Sequence, residues 1–298
     1  MGKLENMRLF VRVIEAGSIT KAAEQLNLAK SAVSKRLADL EDELGSKLIN
    51  RTTRTSSLTE TGANYYQRSL LIIDEVDELD ANTKDSGRVL AGNLKLSVPL
   101  SFGLAHLNTA LDEFAKQHPD LTMEIDFSDR HVDIVDEGFN LAFRIGDLKN
   151  SNLQARKITR INHVLCASPD YLKANKAIVE HNDLHEHSIL KYKNLPFTLI
   201  DVHGKSHTIH SSSKISANNG DFLTQLAISG HGIVLEPTFI VWQALKTKQL
   251  TLVLSNYTIE PMHAYAVYPP NRYLPIKTRT LIDFLVARFG DSPYWDEY

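Results

Sequence analysis

The sequence predicts three parts in series: an amino-terminal all-α winged helix-turn-helix module, a long linker helix, and a larger α/β body. Three observations predict this. Charge is uneven along the chain, +3 over residues 1–58, −5 over 59–87 and −1 over the rest, although the 298 residues together carry only −3. Apolar residues in the first part recur at steps of three and four, the spacing of a helical stripe. Beyond Gly92 the step changes to two, the alternation of strands. A composition of 43% hydrophobic and 23% charged residues is ordinary for a globular chain, and the length suits one large domain or two to three smaller ones. The near-neutral total argues against a histone-like nucleic-acid binder. No run approaches the roughly 18 apolar residues that span a bilayer. The start MGKLENMRLF lacks the apolar stretch of a signal peptide, and the single cysteine, Cys166, cannot form an internal disulfide. The expected location is cytoplasmic, with no membrane partner.

Met7, Phe10, Val11 and Ile14 mark the stripe of a first helix, stopped by Gly17. A short second helix follows, with Ser18 or Thr20 as its cap and Ile19, Ala22, Ala23 and Leu26 facing inward. After Asn27-Leu28-Ala29, the stripe of Val33, Leu37, Leu40 and Leu44 predicts a third helix, which Gly45 ends. At about 100° per residue, Ser31, Ser34, Lys35 and Ala38 turn away from that stripe. Lys30, Lys35 and Arg36 hold the front of the helix, and the acidic run Glu41-Asp42-Glu43 lies past its middle, so only the front favours a polyanion. This is the layout of a recognition helix entering a major groove. From charge alone, a solvated helix face is equally expected. In LINRTTRTSSLT two short β-prone stretches flank Thr52-Thr53-Arg54, which puts Arg51 and Arg54 at the tip of a wing.

From Thr59, a plausible cap, Tyr66, Leu70, Ile73, Val76 and Leu79 stripe an acidic helix that runs to about Asp85. At 1.5 Å per residue it would span roughly 40 Å. So narrow a stripe needs a partner, either its own chain or a second copy.

In the body, Leu94, Leu96 and Val98 alternate; Ser101 opens a helix carrying Leu104, Leu107, Leu111 and Phe114; Leu121, Met123, Ile125 and Phe127 alternate again. Strand, helix, strand points to a parallel sheet. Further elements are expected as a helix near Val132 to Glu137, a strand at Leu141 to Ile145, a strand at Val164 to Ala167, and a helix opened by Ser168-Pro169. AYAVYPP reads as a strand, and Lys277 to Phe289 as a helix packing through Leu281, Phe284, Leu285 and the stem of Arg288.

Ligands of such sheets sit beyond the carboxyl ends of the strands, near helix N-termini that favour an anion. Three segments fit: Leu100-Ser101-Phe102, Arg144-Ile145-Gly146 and Asn218-Asn219-Gly220. Ser101 is equally a plain helix cap, and Arg144 equally an ion-pair partner of Asp147. Glu236, before Pro237, either faces the cleft, neutralising Arg144 or recognising an amine or hydroxyl, or is exposed. His181, His185 and His187, and His203, His207 and His210 around a Gly204-Lys205 turn, lack ligand spacing and read as solvated. Cys166 reads as a small core residue. There is no phosphate loop, nucleophile elbow or catalytic dyad, so neither an enzyme, a cofactor nor a metal is expected.

The run GSITKAAEQLNLAKSAVSKRLADLEDELGSKLINRTTRTSSLTETG resembles the DNA-binding module of LysR-type transcriptional regulators. DRHVDIVDEGFNLAFRIGDL and ANNGDFLTQLAISGHGIVLEP resemble the effector-binding region of the same family, so the likeness covers nearly the whole chain, more weakly after Leu148. Ala29 stands where a capping Ser is commoner and Ile49 where a Phe is. The resemblance implies a DNA-binding domain over 1–58, a dimerising linker over 59–87, and an effector domain over 88–298. That domain would be two periplasmic-binding-protein-like lobes, 92–162 with 266–298, and 163–265. It further implies DNA contacts by Ser18, Thr20, Lys30, Ser31, Ser34, Lys35, Arg36, Arg51 and Arg54, and pairing through Tyr66, Leu70, Ile73 and Val76. The partners implied are double-stranded DNA at a pseudo-palindromic operator, a small organic-acid effector, and a second copy in a homodimer or homotetramer, with RNA polymerase as a further candidate. A solute-binding protein without DNA function is the alternative reading.

Overall fold

The computed structural model describes residues 2–51, 56–84, 90–146, 153–193, 195–210, 213–269 and 274–298. Helices α1 (Lys3–Glu15), α2 (Ile19–Gln25) and α3 (Lys30–Leu44) pack around Phe10, Val13, Ala22, Val33, Leu37 and Leu40, all sealed from solvent. The buried face of α1 is centred on Leu9, Phe10 and Val13, and the expected Met7 and Ile14 stand half-buried at its margins. Ser18 Oγ accepts the Lys21 amide at 3.2 Å and so caps α2. Ala29 gives α3 no side-chain cap, whereas Gly45 closes its other end at φ 63°, a left-handed turn that glycine adopts without strain. Strands β1 (Ile49–Arg51) and β2 (Ser56–Leu58) pair antiparallel, Ile49 opposite Leu58. Glu41, the first of the acidic run past the middle of α3, is turned inward. It is 1% exposed and accepts hydrogen bonds from the Leu48 and Ile49 amides and from Lys47, tying α3 to the wing.

Helix α4 (Glu60–Lys84) starts at Thr59, whose hydroxyl accepts the Gly62 amide and donates to the Lys47 carbonyl. Its partner over much of its length is its own chain. Tyr66 meets the Phe10 ring edge-on, so it belongs to the amino-terminal core rather than to an open face. Asp77 receives both terminal nitrogens of Arg8. Further contacts bind α4 to the body, Asn64 to Asp136 at 3.3 Å and Lys277 to Asp74 at 2.9 Å. Ile72 and Leu79 remain exposed.

The body has two five-stranded sheets. In the first, β3 (Gly92–Val98) lies parallel to β4 (Leu121–Phe127) and β5 (Leu141–Ile145), while β14 (Met262–Tyr268) runs antiparallel between β5 and β6 (Gln154–Ile161). In the second, β8 (Ile189–Tyr192) is parallel to β11 (Ser216–Ala217) and β12 (Ile233–Pro237), and β7 (His163–Ala167) is antiparallel to β12 and β13 (Thr251–Val253). A hairpin of β9 (Phe197–Ile200) and β10 (Ser206–Ile209) flanks it. The sheets are therefore mixed rather than parallel, because the strand that follows each crossing, β7 in one sheet and β14 in the other, runs against the rest. The chain crosses once at Asn162 and returns before Met262. The boundary expected at 266 falls inside β14, where Ala264 already pairs with Ile145 in lobe one.

Between β3 and β4 a single helical turn, α5 (Leu100–Phe102), passes through a π turn over Gly103–Leu107 into α6 (Asn108–Gln117). In place of the expected helix over 132–137 there is a single turn at 134–138: Asp133 Oδ1 caps it by accepting the Val135 and Asp136 amides, and the Phe139 amide closes it by returning to the Ile134 carbonyl. In lobe two, Ser168 caps α7 (Pro169–Ala174) with Pro169 in its first turn, and Asn219 caps α8 (Gly220–Ile228). Helix α9 (Thr238–Lys246) follows β12 directly. Helix α10 (Ile276–Phe289) buries Leu281, Ile282, Leu285 and Phe289 in lobe one; Arg288 lies outside that core, exposed and paired with Glu113 at 3.0 Å. Beyond it Trp295 is fully buried edge-on to Phe102, and Asp296 accepts from Asn162 at the crossing and from Thr238 at the start of α9. Among the described residues no helix is long and apolar enough to cross a membrane.

Candidate functional site

The carboxyl ends of the strands of both lobes open onto one cavity of about 620 Å3. Its wall carries Ser101 and Phe102 after β3, Arg144, Ile145 and Gly146 at the end of β5, Asn218, Asn219 and Gly220 ahead of α8, and Glu236 and Pro237 at the end of β12. Residues from four separate stretches thus converge on the gap between the sheets. Leu100 does not line it: its amide bonds Asp129 Oδ1 at 3.3 Å and its side chain is exposed.

Ser101 is neither a plain cap nor free for an anion, since its hydroxyl donates to Asp221 in lobe two. Arg144 donates to the Phe143 carbonyl at 2.6 Å, to Ser97 Oγ at 3.1 Å and to the Arg130 carbonyl at 3.3 Å. All three acceptors are neutral, and among the described residues no carboxylate forms an ion pair with it; Asp147 lies outside them. Burial lowers the Arg144 pKa, and the charge of Asp129 works in the opposite direction. Glu236 is buried, 2% exposed, and its Oε1 has no hydrogen-bond partner. Burial, joined by the charge of Asp221, pushes its pKa up to about 8. It does not reach Arg144 in an ion pair. Gly220 is what makes room for it, because a Cβ there would collide with Glu236 Oε2 and with Ile240.

A cavity group, His163, and an exposed residue beside the cavity, Asp221, escape a sequence reading. His163 opens β7 against the cavity, its Nδ1 buried without a partner and its pKa pushed by burial down to about 4. The only signal would have been a lone histidine preceding the apolar run Val164 to Ala167. Asp221 is found only by its contact with Ser101, 120 residues away in sequence.

Not all the histidines are solvated. The rings of His181 and His207 stack at 3.8 Å, His207 also bonds Asp201 at 2.9 Å, and His181 bonds the Tyr257 hydroxyl. His187 is buried against Tyr171. Among the described residues no three metal-binding side chains come together. Cys166 is buried, and burial pushes its thiol up to about 12, which leaves it unreactive.

At the other end of the chain, α3 presents Lys30, Ser31 and Lys35 to solvent, with Ser34 and Arg36 half-buried beside them. Thr20 is exposed on α2, and the Ser18 hydroxyl is engaged by the Lys21 amide. Arg51 ends β1, but the structure describes only its backbone, and Arg54 lies outside the described residues.

Residues 4–63 match the family described as bacterial regulatory helix-turn-helix protein, lysR family, and residues 87–290 match the LysR substrate binding domain. A helix-turn-helix transcriptional regulator of Haemophilus influenzae is 37% identical over 280 residues, covering 93% of this chain and 97% of that protein. The solved structure of CrgA, a LysR-type transcriptional regulator from Neisseria meningitidis, is 29% identical and superposes with a TM-score of 0.62 over 98% of this chain and all of that one. The full-length Vibrio cholerae virulence activator AphB superposes at 0.61 with 27% identity, over 96% of this chain and 99% of that one.

Proposed function

The chain belongs to the LysR family of bacterial transcriptional regulators, and from that premise we propose that a small organic anion held between its lobes sets the placement of paired DNA-binding modules. A helix-turn-helix DNA-binding domain and an effector-binding domain are therefore its two working parts, and the family is one of regulators, not of enzymes. The match over residues 4–63 removes the reading as a solute-binding protein without DNA function.

One observation carries the anion assignment: Arg144 lines the cavity, and its guanidinium engages only neutral acceptors and has no ion-pair partner among the described residues. A half-buried charge in that state is stabilised by a ligand of opposite sign, and a guanidinium suits a carboxylate. On the DNA side, the exposure of Lys30, Ser31 and Lys35 on the front of α3 supports base contact by Ser31, Ser34 and Lys35 and phosphate contact by Lys30 and Arg36, with Ser18 and Thr20 flanking and Arg51 and Arg54 on the wing. Pairing of two such modules is assigned to α4, whose half-buried Leu70, Ile73 and Val76 lie beside the exposed Ile72 and Leu79. A ligand shifts that assembly only if it prefers one relation of the lobes over another, which a cavity walled by both lobes makes available.

The test is a thermal-shift screen of the full chain against small carboxylates, repeated with Arg144→Ala. Stabilisation by carboxylates that Arg144→Ala abolishes is the expected result. If neutral or cationic compounds stabilise the protein best, and Arg144→Ala leaves them unaffected, the anion assignment is wrong.

A further inference from the structure

We propose that the lobe-two end of the cleft is an ammonium subsite, in which Glu236, with Asp221 and Ser101, takes the protonated amine of an effector whose carboxylate lies on Arg144. The proposal rests on the cleft reading above and narrows it to amino acids in the broad sense. Glu236 ends β12 inside the cavity wall, almost wholly buried, with Oε1 unpartnered. Asp221 stands one residue past Gly220, the glycine on which the Glu236 carboxyl rests. Because Ser101 spends its hydroxyl hydrogen on Asp221, this corner offers acceptors: two carboxyl groups and the lone pairs of Ser101. Among the described residues neither carboxyl has a Lys, Arg or His partner in an ion pair.

The chemistry of possible occupants separates cleanly on that geometry. A second ligand carboxylate would meet the charge of Asp221 and one donor at most, the proton of Glu236. A hydroxyl brings one donor and no charge. An ammonium brings three donors and the charge that two carboxyl groups lack. At the other end Arg144 offers donors, so the two ends have opposite polarity and the cavity, at about 620 Å3, holds a small zwitterion between them.

Proton balance gives the proposal its own signature. Near neutral pH Glu236 holds a proton, since burial and Asp221 push it up to about 8. Seating an ammonium beside it releases that proton to the buffer and leaves a carboxylate–ammonium pair. The titratable groups that act on Glu236 or feel its charge are Asp221 from α8 and Cys166 from β7, and the thiol, pushed up to about 12, keeps its proton through this range.

The experiment is titration calorimetry of the full chain at neutral pH, in buffers of different ionisation enthalpy. The probes are short ω-amino acids, the matched monocarboxylates and the matched dicarboxylates. An ω-amino acid should bind about tenfold or more tighter than its matched monocarboxylate, with the dicarboxylate weaker still, and release close to one proton. Glu236→Gln should bring the ratio of amino to plain acid near unity and abolish proton release. Asp221→Asn, an independent variant should Glu236→Gln fail to fold, should reduce the ratio. Carboxylate binding that depends on Arg144 but shows no amine preference, or amine binding without proton release, would overturn the subsite and leave the anion reading standing. If no probe binds, both fall.

Discussion

Lys277 and Asp74 form a pair whose two halves should respond very differently to mutation. The lysine, on α10, is 2% exposed, and its ammonium donates to Asp74 of the linker helix at 2.9 Å, while the Asp74 side chain keeps a quarter of its surface in water. Removing Asp74 strands a buried cation, a change that costs about 3–5 kcal/mol. Removing the lysine by Lys277→Met fills the same volume with apolar atoms and leaves a carboxylate that still reaches solvent, which should cost about 1 kcal/mol or less. For a domain of this size each kcal/mol moves Tm by roughly 2–4 °C, so Asp74→Ala should lower it by roughly 6–20 °C and Lys277→Met by at most a few degrees. The double variant should recover most of the loss, because the stranded charge is gone. Differential scanning calorimetry of the four proteins measures all three quantities. If Lys277→Met falls as far as Asp74→Ala, or if the double variant is no better than Asp74→Ala, the reasoning from asymmetric burial fails.

Four further outcomes are expected. Glu41 loses stability through burial but is held below the ordinary carboxylate pKa by Lys47 and the Leu48 and Ile49 amides, so its contribution is present above the unfolded value and is lost as pH falls through the folded one; Glu41→Gln should cost about 1.5–3 kcal/mol at neutral pH and flatten acid denaturation of the amino-terminal module. Glu236 has the opposite sign: its folded pKa of about 8 lies above the unfolded value, so the ligand-free protein loses stability as pH rises from about 4.5 to 8, and Glu236→Gln should remove that slope in Tm against pH. In gel shifts, Lys30→Ala should weaken all DNA sites alike and reduce the salt dependence, whereas Lys35→Ala should change the preferred site, each base contact being worth about 1–3 kcal/mol. Leu70→Asp should shift light scattering toward monomer, since a carboxylate in an apolar helix pair lacks a partner.

Periodicity made the amino-terminal module legible. A stripe such as Val33, Leu37, Leu40 and Leu44 has one geometrical solution, and local caps such as Ser18, Thr59 and Ser168 act within three residues of themselves. The same locality explains the misses. The segment after Asp133 looks like a helix start, and Asp133 does cap it, but the Phe139 amide turns back to the Ile134 carbonyl after one turn, a closure that an apolar pattern does not reveal. Glu41 reads as one of three surface acids because its partners arrive from the following strand. At the cleft, residue types at strand ends pointed to Arg144, Glu236 and the Asn218 to Gly220 turn, since those positions follow from chain direction alone. The Ser101 to Asp221 contact joins two lobes, and no spacing rule spans 120 residues.

The π turn over Gly103–Leu107 can be regarded as an insertion frozen into a helix. A regular α-helix would thread the same path with one residue fewer, and each residue is worth about 100° of rotation. The bulge absorbs that extra residue within its own turn, so the helix on either side keeps its bearing: ahead of it Ser101 is aimed at lobe two, and behind it Ala110, Leu111 and Phe114 seal lobe one. Deleting a single residue here would restore regular helical geometry and leave both alignments standing, re-aiming only the residues of the bulge itself. The same deletion a turn further on, inside the regular part of α6, would swing everything beyond it by about 100°, so this is the place where the segment can change length and still keep the bridge between the lobes.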